Sequence, residues 1–290
     1  MKKAIPVAAL FVVSTCVFAE RPRLLRLLTP DDVGLAAAYY RATTTNAVAP
    51  AAVLLHSYGE SRDEWGAFPL LLQHNGIHVL NFDLRGHGES TRRITADGPQ
   101  PLEHQSFTSR DFQNLLVDVN TAGSWRKGQP GGDRERIGLL GSSLGANLAL
   151  RYAVEHEKLA ALLLLSPGYE YKQIRADDVF PRLPRIPLRV VVSLRDTFAF
   201  EFSRRMLDER YQSGRARDFK ELIVCSGALH GTELLRLVRD LQPTLIRWLR
   251  HVLYGEFLEE PAQLEPPPPA LTNVPHPQPK RPTRSTRKLP

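Results

Sequence analysis

The chain has 290 residues but only two cysteines and two methionines. Two thiols cannot build a disulfide framework or a four-thiolate zinc site. There is no G-x-G-x-x-G run, so no dinucleotide cofactor is implied. No group of His, Cys, Asp or Glu has metal-ligand spacing, so no metal is expected. Long apolar runs are also missing. The sole candidate lies at the N-terminus and is too short to span a bilayer, which excludes a multi-span membrane protein. What is present is globular in composition, 42% hydrophobic and 24% charged. That excludes wholesale disorder. The length suits one large domain or two small ones. The one unusual number is a net charge of +7, from 38 Lys+Arg against 31 Asp+Glu.

That charge lies mostly at the ends. Lys2 and Lys3 precede the apolar run 4–13, and Val17-Phe18-Ala19 closes a short polar stretch. This is the layout of an export signal over residues 1–19, giving a periplasmic or secreted protein. Val13-Ser14-Thr15-Cys16 also resembles a lipoprotein box, with Thr15 where Gly or Ala is usual, which makes Cys16 a candidate for lipidation. Residues 261–290 hold ten prolines and only four aliphatic side chains larger than alanine. Such a segment buries too little apolar area to offset its ordering entropy, so an extended, disordered tail is predicted. The tail carries five basic residues against Glu265, enough for a weak contact with an anionic surface. With those ends set aside, residues 20–260 keep a charge of only +1. A nucleic-acid partner is therefore not expected, and the oligomeric state stays open.

Between about residues 22 and 256 strands alternate with helices. Residues 24–28 and 35–41 read as an antiparallel pair. Residues 51–56, 78–83, 136–140, 159–165, 188–194 and 219–224 read as further strands, most of them continuous apolar runs suited to a sheet covered on both faces. Residues 112–125, 144–156, 200–211 and 234–253 have helical spacing. The predicted fold is α/β: a mostly parallel central sheet of about eight strands with helices on both faces. In such sheets chemistry sits beyond the carboxyl ends of the strands. The residues there are His56-Ser57-Tyr58-Gly59, the turn Asp83 to Gly88, Gly141-Ser142-Ser143-Leu144-Gly145, Ser166-Pro167-Gly168, Asp196 and His230.

Gly141-Ser142-Ser143-Leu144-Gly145 fits G-x-S-x-G with Ser143 at its centre. A serine presented from a very tight strand-to-helix turn needs small residues two positions before and after it. The following helix aims its N-terminus at the site and favours developing negative charge. Ser142 lacks the flanking glycines. This elbow resembles that of the α/β-hydrolase superfamily. The resemblance extends to residues 51–59, similar to a strand ending in His-Gly and an oxyanion loop, and to Asp83-Leu84-Arg85-Gly86-His87-Gly88-Glu89-Ser90, similar to a D-x-R-G-H-G-x-S turn. It spans about residues 22–256. The nearest likeness is to small, minimally capped serine esterases near the dienelactone-hydrolase type, with serine in place of that group's cysteine.

The resemblance implies the order nucleophile, acid, histidine. Of the histidines after Ser143, His156 ends a helix, His251 lies on the last helix and His276 in the tail. His230 alone follows a predicted strand, where a loop can present imidazole as general base. Asp196 sits just past the strand 188–194, placed to orient that imidazole. Asp177 and Asp178 are rivals within a loop that no strand fixes. A non-catalytic glycine-bracketed turn, a helix-capping histidine and an ordinary turn aspartate remain the plainer readings of these three positions. The backbone N–H of Leu144 and, by resemblance, that of Tyr58 would form the oxyanion hole. Ser57 stands where the family usually has glycine. His56 and His87 read as structural.

Caps usually enter after the strand that here ends near Leu165. Residues 166–187 leave room for one short helix, and their charge and proline content make a poor lipase lid. An open site follows, with Tyr58, Trp65, Tyr169 and Tyr171 as candidates to line it. The expected function is hydrolysis of small-molecule or polymer-borne carboxylic esters with short-to-medium acyl groups, through an acyl-enzyme and with no cofactor. A serine peptidase or thioesterase with the same triad, and a silent scaffold used for binding, are the alternatives.

Overall fold

The computed structural model describes residues 21–44, 46–156, 158–212 and 222–255. The predicted leader and tail lie outside the described residues. By its contacts the chain divides into Met1–Leu258 and Glu259–Pro290.

An eight-stranded sheet forms the centre. Its strands are β1 (Arg23–Leu28), β2 (Gly34–Tyr40), β3 (Ala49–Leu55), β4 (His78–Phe82), β7 (Gly132–Ser142), β8 (Ala161–Leu165), β11 (Leu188–Ser193) and β12 (Leu222–Cys225). Their order is β1-β2-β4-β3-β7-β8-β11-β12. β1 pairs antiparallel with β2, and β2 with β4. The other pairs are parallel. Two small hairpins, β5 (Arg92–Thr95) with β6 (Gly98–Pro101) and β9 (Glu170–Tyr171) with β10 (Ile174–Arg175), stand apart from the sheet.

The apolar strands divide their side chains between two cores because successive residues point to opposite faces. Ala51, Val53 and Leu55 of β3, Leu162 and Leu164 of β8, and Val190 and Val192 of β11 pack on one face. Helices α3 (Leu115–Lys127), α4 (Leu144–Glu155) and α5 (Thr197–Gln212) cover it. Ala52, Leu54, Leu163, Leu165 and Val191 point the other way, under α1 (Phe68–His74), α6 (Glu233–Leu237) and α7 (Leu241–Tyr254). Helix α7 buries Leu241, Leu245, Leu249 and Leu253, one stripe at i, i+4 spacing.

Four elements differ from the sequence reading. The run 234–253 is two helices, because Asp240 takes a left-handed backbone, φ 60°, that no helix can carry through. The run 112–125 is split between α2 (Ser109–Gln113) and α3, with Thr108 and Asp111 closing a capping box at the start of α2. The insertion 166–187, with room for one short helix, holds hairpin β9–β10 and a 3₁₀ turn at Phe180–Arg182. The strand expected over 219–224 is described from Leu222 to Cys225, and its first residues lie outside the described residues.

Candidate active site

The loops that leave the carboxyl ends of β3, β7, β8, β11 and β12 converge. Ser143 lies between β7 and α4 with φ 52° and ψ −112°, a strained geometry for a residue with a side chain. Its N–H donates to Leu165 O at 2.9 Å, which ties the turn to β8. The flanking glycines are required by contact. A Cβ on Gly141 would lie 2.3 Å from Gly145 O, and one on Gly145 would lie 2.2 Å from Leu55 O. The spacing of the motif thus reflects backbone packed on backbone.

Ser143, His230 and Asp196 are brought together. His230 Nε2 is 2.8 Å from Ser143 Oγ, and His230 Nδ1 is 2.6 Å from Asp196 Oδ2. The Asp196 carboxyl is 13% exposed and the imidazole 40%, so the aspartate is sheltered while the ring faces the opening. Their loops are bonded to each other: Leu194 N–H donates to Cys225 O at 2.8 Å, and Arg195 N–H to Gly227 O at 2.9 Å. His230 N–H donates to Glu233 Oε2 at 3.1 Å, and Gly231 N–H to Ser166 Oγ at 3.0 Å. Asp177 and Asp178 lie elsewhere, in ion pairs with Arg175 and Arg151.

Leu144 is the first residue of α4, where a backbone N–H has no intrahelical acceptor. Among the described residues neither its N–H nor that of Tyr58 donates to a backbone carbonyl. The Tyr58 ring packs edge-on to His87 and His104, with Lys172 Nζ 4.1 Å from its centroid. Tyr171 stands edge-on to His230, and its hydroxyl donates to Ser166 O at 3.2 Å. Burial, with the nearby Asp196 charge, pushes that hydroxyl's pKa well up. Tyr169 packs edge-on to Phe198 and Phe202. Hairpin β9–β10 is fixed to the elbow helix by Asn147, whose Nδ2 donates to Gly168 O at 3.0 Å and Ile174 O at 2.8 Å.

Trp65 departs from the expected lining. It is 2% exposed and stacks on Phe68 in the core beneath α1, away from the opening. Phe198, 44% exposed against Tyr169 and Tyr171, takes the aromatic place at the mouth. Its position two residues after Asp196 was the available sequence signal. His56 is fully buried: Nε2 accepts the Leu84 N–H at 2.9 Å and Nδ1 meets Ser57 O at 2.7 Å. Burial lowers its pKa to about 3, so it is neutral and serves the turn. His87 is likewise lowered to about 4 by burial. Cys225 is buried and its thiol is pushed up to about 11, which makes it inert. Among the described residues no three His, Cys, Asp or Glu side chains are grouped to hold a metal ion, and no helix is long and apolar enough to cross a membrane.

The sequence matches the model of the Alpha/beta hydrolase family over residues 52–282. The chain belongs to the α/β-hydrolase family. An uncharacterised Mycobacterium tuberculosis protein is 30% identical over 161 residues, 56% of this chain and 50% of that protein. A proline iminopeptidase of Pestalotiopsis fici is 24% identical over 154 residues, 51% of this chain and 48% of that protein. This α/β-hydrolase therefore spans about half the length of these curated relatives. Among solved structures, a Pyrococcus furiosus esterase superposes with a TM-score of 0.61 at 16% identity, covering 86% of this chain and 97% of the esterase. A dienelactone hydrolase from Anabaena variabilis gives 0.57 at 18% identity, covering 81% and 99%. At these identities the likeness is one of fold.

Proposed function

We propose that this α/β-hydrolase cleaves carboxylic esters through a Ser-His-Asp triad. The observation that carries the reading is the unbroken chain Asp196–His230–Ser143, at 2.6 and 2.8 Å, on a strained elbow. Ser143 Oγ attacks the acyl carbon while His230 Nε2 takes its proton. Asp196 holds the ring with Nε2 toward the serine and stabilises the imidazolium. The tetrahedral oxyanion is bound by the N–H groups of Leu144 and Tyr58. His230 returns the proton to the leaving alkoxide as the acyl-enzyme forms. Water, deprotonated by His230, then attacks the acyl-enzyme and frees the acid and Ser143. The short β9–β10 hairpin and the aromatic mouth of Tyr58, Tyr169, Tyr171 and Phe198 suit short-to-medium acyl groups on bulky alcohols.

The test is an aryl-ester panel of increasing acyl length, with a peptide arylamide and a thioester as competitors, together with labelling by a fluorophosphonate. The expected outcome is labelling at Ser143, fastest turnover on esters, and a loss of about 10⁴-fold or more in kcat for Ser143→Ala. Wild-type turnover by Ser143→Ala would refute the mechanism. Faster arylamide turnover would favour a peptidase, the reading that the similarity to the proline iminopeptidase supports.

A further inference from the structure

Glu64 takes no part in the proton transfers just described, yet it lies at the junction of the loops that make them. It belongs to the 3₁₀ turn Arg62–Trp65 that follows the Tyr58 loop. Its Oε1 accepts the Ser57 N–H at 2.7 Å and the Ser57 hydroxyl at 3.2 Å. Its Oε2 accepts the hydroxyl of Thr232, two residues beyond His230, at 3.3 Å. Ser57 Oγ is in turn 2.8 Å from Ser142 Oγ, beside the nucleophile. Gly231 closes over this chain, since a Cβ there would lie 2.5 Å from Ser142 Oγ and 3.4 Å from Ser57 Oγ. The path Thr232–Glu64–Ser57–Ser142 therefore joins the histidine loop, the Tyr58 loop and the elbow, and does so beneath the reacting atoms. Ser57 supplies the hydroxyl that links two of them.

No cation faces this carboxyl among the described ion pairs. Arg62, on the same turn, pairs with Asp83 and Glu89. Glu60, on the Tyr58 loop, adds a like charge. On the histidine loop, Glu233 is occupied by the His230 N–H, and His230 itself faces Asp196 and Ser143.

We infer that Glu64 is a positioning residue, whose carboxylate sets the Tyr58 N–H against the His230 imidazole by accepting from both of their loops. This rests on the Ser143 reading above and deepens it. An ionised carboxylate only accepts, so all three donors are satisfied. The Ser57 N–H cannot reverse, so an added proton must sit on Oε2 and the Thr232 hydroxyl must turn to accept from it. The charge-assisted bonds become ordinary ones and the junction weakens. Burial, reinforced by Glu60 and opposed by the Ser57 and Thr232 donors, raises the carboxyl from 4.5 to about 7, so this change falls near neutral pH.

Glu64→Gln mimics the protonated form, with an oxygen for Ser57 and an amide that donates toward Thr232. The experiment compares kcat and KM of wild type and variant on one aryl ester from pH 5 to 8.5. At pH 8.5 the variant is expected to lose about 10- to 100-fold in kcat with little change in KM, as for a misplaced oxyanion donor. As pH falls through about 7, the wild-type to variant ratio should collapse toward one. Thr232→Val, which removes one donor to the carboxylate, should move the midpoint to higher pH, and it keeps the test open if Glu64→Gln does not fold. A pH-independent ratio, or unchanged kcat, overturns the positioning role while fluorophosphonate labelling of Ser143 persists. Absence of labelling in the wild type would count against the Ser143 reading itself.

Discussion

Two loops leave neighbouring strands on the same side of the sheet and are held in opposite ways. The turn after β4 is built from paired charges. Asp83 accepts the Arg62 N–H at 2.7 Å and the Glu89 N–H at 2.9 Å, and it pairs with the Arg62 guanidinium. Arg85, 1% exposed, reaches Asp118 at 2.7–2.8 Å and Asp31 at 2.6–2.9 Å. In the loop after β3, whose Arg62 supplies that pairing, Ser57 and the histidine loop are joined through Glu64 and neutral donors only. The buried acids of the first network, Asp83 and Asp118, therefore each meet a cation, whereas Glu64 meets none among the described ion pairs. In the first loop, removing one partner strands a charge in the interior, so the network acts as a frame. In the second, the carboxyl can take up a proton without stranding anything. The frame should govern stability, and the junction should govern rate.

The largest effect that would break this comparison is on the frame. Arg85→Met leaves Asp118, fully buried, opposite an apolar side chain. Burial already raises that carboxyl, with Arg85 opposing the rise. The variant should lose about 3–5 kcal/mol of stability, the usual result of removing one partner of a buried pair. Urea unfolding at pH 7 measures this, and the fraction that remains folded should keep its kcat within a few-fold. A large kcat loss in folded Arg85→Met would mean that the frame also sets the rate.

A smaller effect concerns the junction and has the opposite dependence. The folded-state pKa of Glu64, about 7, lies above its unfolded value of 4.5. Between those values the folded state holds more protons than the unfolded state. Stability should therefore fall as pH rises from about 4.5 to 7, by at most about 3 kcal/mol. Glu64→Gln should flatten that fall, so the variant gains on the wild type as pH rises while losing turnover over the same range. Unfolding midpoints at pH 4.5, 6 and 8 separate the two. Parallel curves for the two proteins would place the titration elsewhere.

The fold and the three polar groups in line were legible because each rests on a local rule. The apolar runs 51–56, 159–165 and 188–194 can only be strands with both faces covered, and they alternate between the two cores accordingly. Gly141 and Gly145 are legible because the backbone contacts they permit recur wherever a serine is held at such a turn. The remainder depends on contacts distant in sequence. The β9–β10 hairpin turns through Lys172 and Gln173, both at positive φ without being glycine, so no turn residue announced it. The α6–α7 break sits at an aspartate for the same reason. Glu64, between Asp63 and Trp65, reads as a surface acid, and only the fold brings Thr232, 168 positions away, to its other oxygen.

The smallest predicted effect separates core from mouth among the aromatics. Trp65 and Tyr58 flank the same loop, and from the sequence both are candidates to line the site. Trp65 turns under α1 instead, and its indole N–H meets no acceptor among the described residues. Trp65→Phe therefore forfeits no hydrogen bond and only part of a ring, for about 1–2 kcal/mol. Its acyl-length profile on the ester panel should match the wild type. Phe198→Ala, at the mouth and 44% exposed, should cost less stability and shift that profile. If the Trp65 variant changed the profile and the Phe198 variant did not, the acyl group would lie on the α1 side of the loop, and the Glu64 turn would be part of the substrate wall.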